Sequence, residues 1–229
     1  MTNTAEQAYL PLMKKMLDVL AHDIRNPLNN ILLSTAQFKM EALPDKDDTE
    51  FYIDIIERNC DRVNQLLAEL LNSLHAPLLS IQEGDVNDLL KEVMAEFEDQ
   101  LSLKNIRYTI KQKAAEKVQF DKASLITVFK NIIANAIEAM PQGGELELHV
   151  MQNEDHTTID IKDTGTGISE AVLPQIFAPF FTTKERHRGL GLSEAKNIIV
   201  AHKGALTVEQ STKGAAIRLT IPKQNVLVL

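Results

Sequence analysis

A histidine followed by an acidic residue and, five positions on, by a proline is the first candidate for chemistry in this sequence. His22 and Asp23 open the stretch, which ends at Pro27. A neutral imidazole is available near pH 7 and can attack a phosphorus centre, and the aspartate could take or hold the ring proton. Asn26 is one helical turn on and could hold a water over the same ring. An exposed surface histidine beside an incidental proline explains the same residues, so the remainder of the chain has to decide.

Two asparagines in the second half of the chain are candidates for binding a metal ion. Asn131 and Asn135 are four positions apart, so both carboxamides project from one face of a helix. Asparagine oxygens suit a hard cation such as Mg²⁺. A polar helix face explains the pair equally well when it is taken alone.

Two stretches punctuated by glycines could hold a ligand. Asp163–Gly167 follows an apolar strand, and its aspartate could accept a hydrogen bond from an exocyclic amine such as that of adenine. The glycines would let the backbone approach the ligand closely, although an ordinary turn is the simpler explanation of this stretch alone. Gly189–Leu192 opens a helix, where backbone N–H groups can cradle phosphates.

Between these stretches, three phenylalanines stand beside a basic, polar run. The pattern fits a lid whose aromatic side chains anchor its base and whose cations lie over phosphates. A buried aromatic cluster next to a solvated charge run is the alternative. The residues concerned are Phe177, Phe180, Phe181, Lys184, Arg186 and Arg188.

Two long helices must position the histidine. The first is predicted from about Ala5 to Leu43, and its apolar residues step by three or four positions, which places His22 on the opposite, polar face. Pro27 lacks an N–H group, so we expect the helix to bend or loosen beside His22. The apolar residues that form the stripe are Leu10, Met13, Leu17, Leu20, Ile24, Leu28 and Ile31.

The second helix follows a turn at Pro44 and carries an unbroken apolar seam. Its steps of three and four are typical of a coiled coil or helical bundle, and Cys60 falls on the seam as a predicted core residue. Because two helices bury little on their own, we expect a homodimer in which two hairpins form a four-helix bundle. The seam comprises Ile53, Ile56, Cys60, Val63, Leu67, Leu70 and Leu74.

A mixed domain is predicted to position the asparagines and the glycine stretches. The predicted domain boundaries are 1–76 for the hairpin, 77–84 for a linker that carries a short strand, and 85–229 for an α+β sandwich with helices on one side of a mostly antiparallel sheet. Its predicted helices are Asp85–Lys104, Asp121–Met140 and Leu190–His202, and its predicted strands are 106–110, 117–120, Glu145–Gln152, Thr157–Asp163, Ala205–Glu209 and Ala215–Ile221.

Composition excludes several classes of function. The net charge of −8 over 229 residues argues against a nucleic-acid binder. A single cysteine permits no intrachain disulfide and fits a reducing compartment. No apolar run reaches the length of a membrane span, and the N-terminus lacks the pattern of a signal peptide, so a cytoplasmic location is expected. No input domain is recognisable, so we expect either a truncated chain or a signal that arrives from another protein.

In this order, the five stretches resemble the catalytic core of the sensor histidine kinases of two-component signalling. The resemblance extends from about Leu10 to Pro222 and implies a dimerisation and phosphotransfer hairpin followed by an ATP-binding domain of the histidine kinase/Hsp90-like ATPase type. The phospho-acceptor, asparagine, first glycine, phenylalanine and second glycine motifs of that family match His22–Leu28, Asn131–Ala136, Asp163–Gly167, Phe177–Phe181 and Gly189–Leu192.

The resemblance also implies roles for individual residues of the hairpin. His22 would be the phospho-acceptor and Asp23 its general base. Asn26 would position a water that dephosphorylates a partner, the receiver domain of a response regulator. An ATP-dependent protein-histidine kinase that passes its phosphoryl group to an aspartate of that regulator is therefore the leading hypothesis.

In the second domain, the resemblance implies a site for ATP and Mg²⁺. Asn135 would coordinate Mg²⁺, Asn131 would support the triphosphate site and Asp163 would read the adenine amine. Glu138 stands where many relatives carry a base, and it receives no role. The nucleotide would be lined by Gly165, Gly167, Gly189, Leu190, Gly191 and Leu192 and covered by a lid that holds Lys184, Arg186 and Arg188. Which lid cation would meet the γ-phosphate is left open.

Two other hypotheses remain at this point. An ATPase of the same superfamily, such as a chaperone or topoisomerase module, would share the second domain, but the placement of His22 and Pro27 on a bundle hairpin argues against it. A non-enzymatic dimeric phosphotransfer scaffold would share the hairpin. Intact Asn135, Asp163 and both glycine stretches argue against a dead nucleotide site.

Overall fold

A computed structural model of the chain describes residues 3–40, 46–74, 77–112, 117–184, 187–209, 211 and 213–223. The chain divides into two compact units, Met1–Asn72 and Ser73–Leu229.

The first unit is a helical hairpin. Helix α1 comprises Asn3–Met40 and helix α2 comprises Lys46–Leu74. The helices are antiparallel, since Asn30 Nδ2 donates to Asn59 Oδ1 at 3.2 Å and, nearer the turn, the rings of Phe38 and Tyr52 meet edge to face with centroids 6.3 Å apart. Helix α1 continues through Pro27 without interruption, so the expected loosening does not break the helix.

A single hairpin leaves much of its apolar surface uncovered. Leu66 is buried, but Ile53 and Leu67 of the predicted seam are 47% and 42% exposed. On α1, Leu32 is 65% exposed. Cys60 is exposed as well, so its predicted core position is not reached within one chain, because α1 covers only part of the seam. Exposed apolar side chains on both helices of a hairpin are typical of an interaction surface.

The second unit begins with a short strand and two helices. Strand β1 is Ile81–Gly84, helix α3 is Val86–Glu96 and helix α4 is Glu98–Leu103. One helix was predicted from Asp85 to Lys104. The helix ends instead at Phe97, whose N–H group donates to Met94 O at 3.0 Å and whose partly buried ring packs against the core.

The remaining elements alternate between strands and helices. They are β2 (Ile106–Gln112), β3 (Val118–Asp121), α5 (Lys122–Ala139), β4 (Gly144–Gln152), β5 (His156–Asp163), α6 (Gly191–Ala201), β6 (Ala205–Glu209) and β7 (Ala216–Pro222). A short 3₁₀ helix spans Leu173–Gln175. These bounds agree with the predicted elements to within about two residues.

Five strands form one sheet in the order β2-β4-β5-β7-β6. The pair β2–β4 is parallel and the other three pairs are antiparallel, as the prediction of a mostly antiparallel sheet required. Buried side chains of the strands alternate with exposed ones and share one core with α3, α5 and α6. Leu148, Ile159 and Leu219 lie in that core with Leu90, Phe129 and Ile199.

Strands β1 and β3 form a separate two-stranded sheet. They are antiparallel, with Ile81 opposite Asp121 and Gly84 opposite Val118. The segment 77–84, predicted as a linker with a short strand, therefore contributes that strand to the second unit.

Asp121 and His202 form a buried polar group where β3 passes into α5. Asp121 caps α5, since its Oδ1 accepts from Ser124 N at 2.7 Å, and its Oδ2 accepts from Ser80 N at 2.6 Å. His202 is fully buried; its Nε2 accepts from Asp121 N at 3.0 Å and its Nδ1 donates to Ile198 O at 2.8 Å. These two partners require the neutral imidazole with its proton on Nδ1.

We predict that the free energy of unfolding decreases as the pH falls, because His202 becomes protonated. Burial lowers the pKa of this imidazole, although the hydrogen bond to Ile198 and the charge of Asp121 oppose the change. The folded state therefore favours the neutral ring. Its contribution is fully present above the unfolded pKa of about 6.5 and is lost as the pH falls from that value through the folded pKa. The urea midpoint of the wild-type chain should consequently be lower at pH 5.5 than at pH 7.5.

His202→Gln is the matched variant, because glutamine can accept from Asp121 N but does not titrate. We expect it to lower the free energy of unfolding at pH 7.5 by about 1–3 kcal/mol and to reduce the difference between the two pH values. An unchanged difference in this variant would show that other groups cause the pH dependence.

Candidate functional site

The candidate phospho-acceptor lies at the surface of α1. The side chain of His22 is 70% exposed. Asn26 Nδ2 lies 3.4 Å from His22 Nδ1, and Asp23 Oδ1 lies 3.6 Å from the same atom. Nδ1 can serve only one of them at a time: it accepts from Asn26 when unprotonated and faces the carboxylate of Asp23 when protonated. The two predicted partners of His22 thus act on the same ring nitrogen.

In the second unit, helix α5 carries the predicted metal ligand next to a cation of the lid. Lys184 Nζ donates to Asn135 Oδ1 at 3.1 Å and also pairs with Glu138 Oε2. His187 Nε2 lies 2.8 Å from the other carboxylate oxygen of Glu138. Burial alone would raise the pKa of Glu138, but the hydrogen bonds and charges of Lys184 and His187 lower it overall. Glu138, which the sequence left without a role, therefore joins the lid to the asparagine helix.

Asn131 faces the start of α6. Its Nδ2 donates to Glu194 Oε2 at 3.2 Å, and a Cβ atom on Gly191 would lie 3.1 Å from Asn131 Oδ1. The predicted second glycine stretch and the asparagine helix are thereby brought into direct contact. Glu194 was not predicted; its position in the first turn of α6 is the only signal that the sequence offers.

Asp163 ends β5 with its carboxylate fixed by backbone groups. The residue is 7% exposed, and its Oδ1 accepts from Gly165 N at 2.8 Å and from Ala215 N at 3.2 Å. Burial raises the pKa of Asp163, although both of these backbone hydrogen bonds oppose the change. Since both bonds go to Oδ1, the orientation of the carboxyl group is set by the protein.

The glycines around Asp163 are needed because backbone segments approach closely. A Cβ atom on Gly165 would collide with the carbonyl oxygen of Ala139, at the end of α5. A Cβ atom on Gly214 would collide with the carbonyl oxygen of Asp163, and the φ of Gly214 is +69°. Gly214 could not be predicted as part of this loop because it lies far along the chain, between β6 and β7.

The phenylalanine stretch lies at the base of the lid. Phe180 is buried and adopts a φ of +65°, and its N–H group donates to Gly189 O at 2.8 Å. The Nζ atom of Lys196 lies 5.4 Å from the centroid of the Phe177 ring. The two ends of the lid are therefore hydrogen-bonded to each other. Within the lid, Arg188 is partly buried, whereas Arg186 lies outside the residues that the structure describes.

The residues predicted for the nucleotide site converge on α5. The lid reaches it at Asn135 and Glu138, α6 reaches it at Asn131, and the Asp163 loop reaches its last turn, where Thr166 N donates to Ala139 O at 3.1 Å. His22, Asp23 and Asn26 belong to the other unit.

Asn135 could bind a divalent cation together with a bound ligand that supplies further oxygen atoms to the metal. Within the described ranges, no three acidic, histidine or cysteine side chains gather as a self-sufficient metal site. Asn135 Oδ1 nevertheless already accepts from one cation, the ammonium group of Lys184. An oxygen ligand in this setting could serve Mg²⁺ if phosphate oxygens and water completed the shell.

No helix in the described part of the chain combines the length and the apolar character needed to cross a membrane.

The chain therefore has two parts: a helical hairpin with an exposed histidine, and an α/β unit in which the candidate site residues lie along α5. Residues 12–74 match the His Kinase A (phospho-acceptor) domain. Residues 120–225 match the family described as histidine kinase-, DNA gyrase B-, and HSP90-like ATPase.

Individual relatives agree with both matches. Sporulation kinase C of Bacillus subtilis (strain 168) is 32% identical over 220 residues, which are 95% of this chain and 50% of that protein. The catalytic domain of histidine kinase ThkA is 30% identical with a TM-score of 0.60, over 63% of this chain and 97% of that one. Histidine kinase ThkA in complex with response regulator protein TrrA gives 28% identity and a TM-score of 0.66, over 95% of this chain and 64% of that one.

The chain belongs to the histidine kinase family. The resemblance drawn from the five motifs is thus confirmed, and so is the predicted order of an all-α hairpin and an α+β sandwich. The chain spans half or less of the length of the curated relatives it matches.

Proposed function

We propose that the protein is an ATP-dependent protein-histidine kinase that autophosphorylates His22 and transfers the phosphoryl group to an aspartate of a response regulator. The observation that carries the proposal is the exposed imidazole of His22 with Asp23 and Asn26 both at Nδ1. Membership in the family and the site along α5 support the ATP-dependent half of the reaction. The relative solved with a response regulator supports the choice of partner.

The nucleotide is held by the residues around α5. The oxygen of Asp163 that does not take part in the two backbone hydrogen bonds, Oδ2, is the acceptor that we assign to the exocyclic amine of adenine. Asn131 and Asn135 lie towards the triphosphate, and the N-terminal turn of α6, which begins at Gly191, supplies backbone N–H groups to its oxygens. When bound, Mg²⁺ would be held by Asn135 and would neutralise charge on the phosphates.

At the hairpin, His22 acts as the nucleophile. With Nδ1 protonated and facing Asp23, Nε2 carries the lone pair that attacks the γ-phosphorus in line. A bond forms between Nε2 and phosphorus while the bond from phosphorus to the bridging oxygen breaks and ADP leaves. Asp23 stabilises the positive charge that develops on the ring and takes the Nδ1 proton.

The second half-reaction uses the same face of α1. An aspartate of the regulator attacks the phosphohistidine and regenerates the imidazole. We propose that Asn26 can then orient a water towards the acyl phosphate of the regulator, since it lies one turn from His22. The protein would therefore also dephosphorylate its partner.

Incubation with γ-labelled ATP and Mg²⁺ tests the proposal against both alternatives. A kinase retains acid-labile, base-stable label on the protein. Release of free phosphate alone indicates an ATPase of the same superfamily. The absence of both protein-bound label and free phosphate indicates a phosphotransfer scaffold. Addition of a receiver domain should move the label to an acid-stable, base-labile aspartyl phosphate only if the protein is a kinase.

We further propose that the protein is a homodimer through the hairpin. The exposed seam residues Ile53 and Leu67 on α2 and the exposed Leu32 on α1 support this assembly. A second hairpin would cover these side chains and would also bury Cys60.

For this dimer, Leu67→Glu is predicted to shift the mass measured by light scattering at micromolar concentration from two chains to one. A carboxylate on the seam would be buried without a partner, which costs about 3 kcal/mol or more and weakens association by roughly a hundredfold or more. Gln65→Glu, on an exposed position of the same helix, is the matched control and should remain dimeric. A single-chain mass for the wild-type protein would refute the dimer itself.

A further inference from the structure

We propose that Lys184 is the lid cation that meets the terminal phosphate of a nucleoside triphosphate, and that Glu138 is a positioning residue that holds Lys184 for this purpose. The inference rests on the proposed function and specifies one contact within it.

The first observation is that Lys184 links Glu138 to the predicted metal ligand. Its ammonium group donates to Asn135 Oδ1 at 3.1 Å and pairs with Glu138 Oε2. Glu138 follows Asn135 by three positions on α5, so the two acceptors lie on one face of the helix. The lid side chain is thus fixed beside Asn135, the asparagine that the family resemblance assigns to Mg²⁺.

The second observation concerns charge. An unneutralised carboxylate at Glu138 would repel a triphosphate, and Lys184 removes that penalty by pairing with it. The two side chains are 34% and 36% exposed, so water screens their attraction less than it screens a fully exposed pair. This chain therefore carries an acid on the helix and a base on the lid, and the two charges compensate each other.

The third step follows from the number of donors on Lys184. An ammonium group has three N–H donors and Asn135 Oδ1 can serve either this group or Mg²⁺. When Asn135 is engaged by the metal, Lys184 keeps its pair with Glu138 and turns a released donor to a phosphate oxygen. His187, on the other carboxylate oxygen of Glu138, fixes the orientation of that carboxylate.

The test measures ATP and ADP affinities of the full chain in Mg²⁺, by displacement of a fluorescent nucleotide. Lys184→Met should weaken ATP binding by about tenfold to a hundredfold, because a charge-assisted hydrogen bond to the terminal phosphate is lost. ADP lacks that phosphate, so its affinity should change by less than about threefold. Glu138→Gln should also lower the ratio of ATP to ADP affinity, but by a smaller factor than Lys184→Met does.

Two further variants separate positioning from a structural role. Lys130 of α5 pairs with Glu96 of α3 at 2.6 Å, so Lys130→Met removes a comparable lysine–glutamate pair that does not involve the lid and should leave the ratio unchanged. The exchange of charges, Glu138→Lys with Lys184→Glu, places the ammonium group on α5 and should recover most of the ratio lost in Lys184→Met.

The inference is overturned if Lys184→Met leaves the ratio unchanged, if Arg188→Met or Arg186→Met lowers it more than Lys184→Met does, or if the exchange of charges recovers nothing. These outcomes differ from failure of the proposed function, in which the wild-type chain would bind no ATP or would retain no label on His22.

Discussion

His22→Gln is expected to abolish retention of label from γ-labelled ATP while leaving the affinity for ATP unchanged. Glutamine keeps a polar side chain of similar reach on an exposed helix position, so the hairpin should fold normally. It lacks a nucleophilic nitrogen, because the lone pair of an amide is delocalised. The nucleotide residues lie in the other unit, so binding should persist. The amount of label retained on the protein should fall by more than about a thousandfold, because the phosphohistidine cannot form without the imidazole of His22.

Asn26→Ala is the matched control for His22→Gln. It removes the other side chain at Nδ1 but keeps the nucleophile, so autophosphorylation should be retained. Dephosphorylation of the regulator should fall, because the amide that orients water is gone. Both assays should be run on both variants with a phosphorylated receiver domain. Label that persists on His22→Gln would disprove the acceptor assignment, and undiminished dephosphorylation by Asn26→Ala would disprove the role in orienting water.

Asp163→Asn is expected to weaken ATP binding by about a hundredfold or more. The backbone N–H groups of Gly165 and Ala215 both donate to Oδ1, so the oxygen of the new amide must take that position. The amide NH₂ then replaces Oδ2 and faces the exocyclic amine of adenine, donor against donor. A site built to accept a hydrogen bond loses far more than the bond itself when the partners mismatch.

The same geometry predicts a change of specificity. Inosine triphosphate carries a carbonyl oxygen where adenine carries its amine, so it should bind Asp163→Asn better than ATP does. Calorimetry with both nucleotides gives the comparison, and circular dichroism verifies that the variant is folded. Equal ATP affinities in the variant and the wild-type protein would show that Asp163 does not read the base.

Elements and motifs could be predicted from the sequence where the signal is local. Helix α5 is predicted from Asp121 at its start and from the turn 141–144 at its end, and the structure places Asp121 as the N-cap, accepting from Ser124 N at 2.7 Å. The predicted strand that precedes the first glycine stretch likewise places Asp163 at the end of β5. In each case the residues that determine the structure are neighbours in the chain.

Contacts between distant segments could not be predicted in this way. Lys184 and Glu138 are 46 positions apart, and Ala215 and Asp163 are 52 positions apart. Glu138 could not be given a role from the sequence because its partner, Lys184, lies on the lid, far away in the chain. Gly214 belongs to none of the motifs; glycine is needed there because a Cβ atom would collide with the backbone of Asp163. Cys60 was assigned to a core that a single hairpin does not form.

The hydrogen bond between Ser80 and Asp121 connects the segment before β1 to the start of α5 within the second unit. Ser80 lies in the segment 77–80 that leads into β1, and its backbone N–H group donates at 2.6 Å to the carboxylate of Asp121, which caps α5. Tension or torque applied to that segment is therefore transmitted to the first turn of the helix that carries Asn131 and Asn135. One hydrogen bond and one helix therefore connect the segment before β1 with the asparagines of α5, so a displacement of Ser80 would act on the far end of that helix.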